Sequence, residues 1–133
     1  MSTFEEKLSI LSEMIAFARV DNSVKTEEYN FLLNVANQLG VDKLTFDSLF
    51  DKTAIPVFLK SEAERILQFH RLVLLMNIDK TDTSLEVALL HNIGLGMGLP
   101  PSAIEQVLTI MHKYPDKIIP PEILINIFKI HYN

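Results

Sequence analysis

The chain has 133 residues, 48% of them hydrophobic, enough for a single domain to bury a sizeable core. Its formal net charge is −5, whereas a protein that neutralises phosphates needs clustered Lys and Arg, so nucleic acid is not an expected partner. There is no cysteine, which excludes disulfides, thiolate nucleophiles and sulfur-ligated zinc.

The first residues are acidic where a secretory signal is basic, and no apolar run follows them, so a cytoplasmic location is expected. Phe4, Leu8, Leu11, Ile15 and Ala18 step by four and three along one helical face, with Thr3 and Glu6 as a capping box. A second helix carries Tyr29, Leu32, Ala36 and Leu39, beginning after Thr26 and stopping at Gly40. A short third helix holds Phe46, Leu49 and Phe50. Residues 54–58, broken by Pro56, read as a connector whose apolar side chains pack onto the core.

Ser61 and Glu64 open a fourth helix through Ile66, Phe69, Val73 and Met76. A fifth follows Thr83 and Ser84 and ends at Gly98, and a sixth starts at Pro100, Pro101 and Ser102 and contains Ile104, Val107, Leu108 and Met111. After Tyr114 and Pro115, residues 121–131 form a last apolar helix; a strand is the alternative, but no partner strands are visible. The strongly apolar run 72–76 is far shorter than the roughly 20 residues of a spanning helix, so no transmembrane segment is expected, and a peripheral association stays open.

Sliding the sequence by 58 positions superimposes Asp21 on Asp79, Glu28 on Glu86, Leu32 on Leu90, Asn34 on Asn92 and Gly40 on Gly98 without a gap. Helical patterning alone would match apolar residues, not these polar ones. The expected fold is therefore all-α: a seven-helix bundle, one domain over 1–133, built from a tandem duplication of a three-helix unit (approximately 4–50 and 62–108) plus a C-terminal helix.

Each copy places Asp at a helix end and Glu seven residues later. At a helix C-terminus the macrodipole disfavours an anion by up to about 1 kcal/mol, so the Asp needs compensation. Two readings follow. In one, Asp21 and Asp79 cap the next helix and Glu28 and Glu86 sit in its favourable first turn. In the other, the four carboxylates bind a divalent cation, Ca²⁺, Mg²⁺ or Mn²⁺, through hard oxygen ligands. The first pair is favoured, because Asn22 offers another oxygen while Lys80 sets a positive charge beside Asp79.

A helix ending in Asp, a polar turn, Glu, an apolar helix and Gly, all occurring twice, resembles the TerB-like, tellurite-resistance-associated domain family over nearly the whole chain. That family's turns carry Gly after the Asp, where this chain has Asn22 and Lys80. The resemblance implies a duplicated seven-helix bundle whose acidic residues, Asp21, Glu28, Asp79 and Glu86 here, form a metal-binding cluster. It also implies a bacterial stress-response or accessory module at the inner face of the membrane, with related domains attached to DnaJ-type co-chaperones.

The histidines, His70, His91, His112 and His131, are scattered without a paired-ligand spacing. Gly94, Gly96 and Gly98 end a helix where a dinucleotide loop would begin one. No serine or threonine has a visible His and Asp arrangement to activate it. The expected function is thus a non-enzymatic binding module whose acidic turns, chiefly Asp21 and Glu28, take a divalent cation or a basic partner, with a protein partner or self-association expected. The alternative is a co-chaperone-like or self-associating interaction domain without metal, its Asp and Glu serving as caps and its apolar C-terminal helix as the docking element. A metal-dependent hydrolase comes last, since no general base or Glu-x-x-His ligand set supports it.

Overall fold

The computed structural model describes residues 3–21, 23–78 and 84–131, and of Asp21 the backbone only. Among these residues there are seven α-helices and no strand, and the chain divides into two compact units, Met1–Lys60 and Ser61–Asn133.

In the first unit, α1 (Phe4–Ala18) starts where the Thr3 hydroxyl accepts the Glu6 N–H at 3.1 Å, and of the predicted stripe it buries Leu11, Ile15 and Ala18, half-buries Leu8, and adds Met14 to the core. Phe4, expected on the same face, is exposed. Helix α2 (Thr26–Leu39) has Lys25 at its N-cap and begins with Thr26 itself. It ends at Gly40, whose φ of +79° is a left-handed conformation that a side chain would strain. Asp42 caps α3 (Lys43–Ser48) by accepting the Thr45 N–H at 2.8 Å, and one 3₁₀ turn, Leu49–Asp51, carries Leu49 into the core. The connector corrects an expectation: none of the apolar side chains of residues 54–58 is buried, Val57 is half-buried and Phe58 is 80% exposed, and only Leu59, just beyond them, is buried. Extended backbone alternates its side chains between two sides, so a segment kept extended by Pro56 cannot turn all of them inward.

In the second unit, the Ser61 hydroxyl accepts the Glu64 N–H at 3.1 Å at the start of α4 (Glu62–Met76). Helix α5 (Ser84–Gly96) stops two residues before Gly98, whose φ is +80°. Pro101 is the first residue of α6 (Pro101–Ile110), where its missing N–H costs nothing, and Met111 falls in the 3₁₀ turn Met111–Lys113 that follows. Residues Pro121–His131 form α7, a helix and not a strand, burying Leu124, Ile127 and Phe128.

The 58-residue offset recurs in the local geometry. Phe4–Ala18 falls on Glu62–Met76, Thr26 on Ser84 and Lys43 on Pro101, each opening the corresponding helix. The caps Thr3 and Ser61 correspond, and so do Gly40 and Gly98. The loop-closing bonds also match, Val41 N–H to the Ala36 carbonyl at 2.9 Å and Leu99 N–H to the Gly94 carbonyl at 3.1 Å. Buried positions pair along the same offset: Leu11 with Phe69, Ile15 with Val73, Leu32 with Leu90, Phe46 with Ile104.

Candidate functional site

Of the four carboxylates expected at the acidic turns, Glu28 and Glu86 lie in the first turns of α2 and α5 and are 5% and 6% exposed. Asp21 closes the 3₁₀ turn Arg19–Asp21 directly after α1, but its side chain, and all of Asp79, lie outside the described residues. Glu28 acts on its own helix end, where one carboxylate oxygen accepts the Lys25 N–H at 2.9 Å, satisfying a donor at the helix start and placing negative charge at the positive end of the dipole. Lysine has no side-chain acceptor with which to reciprocate, so this is one half of a capping box. Among the described residues no three His, Asp or Glu side chains converge to hold a metal ion. Replacing Glu28 by alanine is expected to cost about 1.5–3 kcal/mol in metal-free buffer, the worth of a hydrogen bond to a charged group, measured by urea denaturation. A melting temperature that rises with Ca²⁺, Mg²⁺ or Mn²⁺, and no longer does so in Glu28→Gln, would assign the carboxylate to ligation instead.

A different feature dominates the second unit. Helices α4 and α7 leave an apolar groove of about 360 Å³ between them, lined by Ala63, Ile66, Leu67 and His70 on one side and Leu124, Ile125 and Phe128 on the other. The spacings 63, 66, 67, 70 and 121, 124, 125, 128 are those of one helical face each, so both helices turn a stripe toward the same space. The Phe69 and Phe128 rings meet edge to face at 6.2 Å beside it. Leu67 and Ile125 are each 47% exposed, an uncovered apolar surface. Glu62 and Lys129 add one charge of each sign to the lining.

His70 is the one uncharged polar side chain of this groove. Its Nε2 is buried and has no hydrogen-bond partner among the described residues. Burial, and secondarily the Arg71 charge, hold its imidazole below the ordinary histidine value, so it is neutral at neutral pH. The unfolded chain therefore takes up this proton first as pH falls. Stability is expected to be independent of His70 above about pH 7 and to decline as pH drops below about 6.5, the unfolded value, until the folded imidazole protonates too. His70→Gln should flatten that part of a stability profile recorded by thermal melts from pH 7.5 to 5.

Three polar clusters complete the surface. Asp47 accepts from the Tyr29 hydroxyl at 2.5 Å and pairs with Lys43 at 2.7 Å; the Lys43 bond chiefly holds the Asp47 carboxyl below its usual range, and the Asp47 bond chiefly raises the Tyr29 phenol. In an open cleft between α5 and α6, His91 Nε2 lies 4.0 Å from Glu105, with His112 along the same wall. On α6, Ser102 and Gln106 flank His131 of α7, at 2.8 Å from Nδ1 and Nε2 respectively. The hydroxyl, imidazole and amide stand in the order of a nucleophilic relay that no sequence spacing announced. Ser102 and Gln106 are exposed to water, however, and what the bonds accomplish is to tie the last turn of α7 to α6.

The sequence contained a signal for the groove. Residues 121–131 carry Ile123, Leu124, Ile125, Ile127, Phe128 and Ile130, more apolar side chains than one face of an eleven-residue helix can bury. Compared with family models, with curated proteins and with solved structures, the chain matches none.

Proposed function

We propose that the chain is a non-enzymatic protein-interaction module that receives its partner on the apolar face between α4 and α7. The observation that carries this reading is the groove itself: two helices of one unit turn apolar stripes toward a space that neither fills, with Leu67 and Ile125 half open to solvent. The surrounding architecture is that of a tandem duplication of a three-helix unit with α7 added. This is supported by the coincidence of helix starts, caps, left-handed glycines and buried positions at a 58-residue offset. The same features support the TerB-like resemblance, and with it a bacterial cytoplasmic accessory role. In this reading the Glu28 carboxylate serves as a helix cap.

A second reading, a divalent cation held at the acidic turns, draws on the burial of Glu28 and Glu86 at matching positions of the two units. The cation melts described above decide between them. The interaction reading is tested by recovering partners from the native host with tagged wild-type protein and with Ile125→Asp. Partners present with the wild type and absent from the variant support it. Equal recovery by both proteins overturns it.

A further inference from the structure

We infer that the α4/α7 groove of one copy takes, as an extended strand, the connector of a second copy, residues 54–58; this rests on the interaction reading above and names its occupant. The first argument is an internal precedent. In the first unit the connector runs along α1, where the Ile55 N–H donates to the Ser12 hydroxyl at 2.9 Å, and where Glu5 and Ser9 line a shallow pocket with Ile55, Pro56 and Phe58. Shifted by 58 positions, Glu5, Ser9 and Ser12 become Ala63, Leu67 and His70, the α4 wall of the groove. The helix face that carries an extended segment in one unit thus recurs in the other with α7 opposite it and open space between.

The second argument is the polar atom. His70 Nε2 is buried, without a partner among the described residues, at the place where Ser12 accepts a backbone N–H. An extended backbone offers N–H and C=O groups alternately, so it satisfies the neutral imidazole in either tautomer. A docked helix has its backbone groups spent within the helix and could pair only through a side chain placed opposite the ring. Extended chain is the conformation whose backbone the site can pair with.

The third argument selects this segment. The connector is held extended by Pro56, which reduces the ordering cost of docking, and it presents Ile55 and the 80% exposed Phe58 to solvent. Because groove and connector are different surfaces, the contact is head-to-tail, and copies must close into a ring or extend.

The test is sedimentation velocity on the pure protein from micromolar to millimolar concentration, with circular dichroism to verify folding. The wild type is expected to gain mass at least two-fold with concentration. Phe58→Asp, which spoils the connector, and Ile125→Asp, which spoils the groove at an exposed position, should each stay monomeric. Mixed together they retain one intact connector and one intact groove, and should give a one-to-one dimer and nothing larger. A synthetic peptide of residues 51–60 should return the wild type to monomer and shift the His70 Nε2 resonance. Should Ile125→Asp fail to fold, Leu67→Lys replaces it. A wild type that stays monomeric throughout, or a variant mixture that does not pair, overturns the proposal. If that same monomer still loses its host partners on Ile125→Asp, the occupant is wrong and the interaction module stands.

Discussion

Truncation of Phe69 to alanine is expected to lower stability by about 3–5 kcal/mol, a large part of the 5–15 kcal/mol that holds an ordinary domain folded. Phe69 is fully buried on α4 and meets Phe128 of α7 edge to face, and its ring edge comes within 3.1 Å of where a β-carbon on Gly94 of α5 would stand. One ring therefore supports three helices of the second unit. Removing it forfeits the transfer free energy of a phenyl group and leaves a cavity that helices on three sides can collapse into only partly. The measurement is the shift in urea midpoint at constant m-value. A loss near 1 kcal/mol would mean that α7 settles onto α4 and fills the space. Such a collapse would also close the groove, so the same variant should lose self-association if the helices do move together.

Gly94→Val is the second large effect, expected at about 3 kcal/mol or more. A β-carbon there would lie 2.7 Å from Ile104 Cδ1 and 3.1 Å from both Ile104 Cγ1 and Phe69 Cε1. Ile104 and Phe69 are fully buried, so neither can swing aside without disturbing the core. Gly94→Ala gives the sharper result, because two terms oppose: alanine gains about 1 kcal/mol of helix propensity, while overpacking costs about 1–3. The expected net is a loss of about 0–2 kcal/mol. Combining it with Ile104→Val removes the closest methyl, and the double variant should be more stable than the two single losses predict. Strict additivity would show that Ile104 is not what the new methyl meets. The position 58 residues earlier holds Ala36, facing a different pairing of sizes in the sequence, with Leu11 and Phe46 where the second unit has Phe69 and Ile104.

Much of this fold could be read from one sequence because its helices announce their ends. Thr3 and Ser61 each cap the helix their spacing predicted, and Gly40 and Gly98 each adopt the left-handed conformation that follows a helix. These are local effects, decided within four or five residues. The connector resisted reading for the opposite reason. Whether Phe58 is buried depends on how much surface lies opposite an extended segment, and hydrophobicity alone does not report that. The groove is harder still, since its walls are some sixty residues apart in sequence and its emptiness is a property of helix spacing. The acidic pairs were conspicuous in sequence, yet at Glu28 the observed partner is a neighbouring backbone N–H, an interaction that leaves the same sequence mark as a ligand.

Ser12 of α1 and His70 of α4 correspond at the 58-residue offset, and their polar atoms have opposite relations to the described chain. The serine hydroxyl accepts the Ile55 N–H of the chain's own connector. The His70 Nε2 has no such partner among the described residues, at the edge of the α4/α7 groove. On the proposed duplication and docking, a change at this one position, and at what lies across from it, is what distinguishes a scaffold from a receptor.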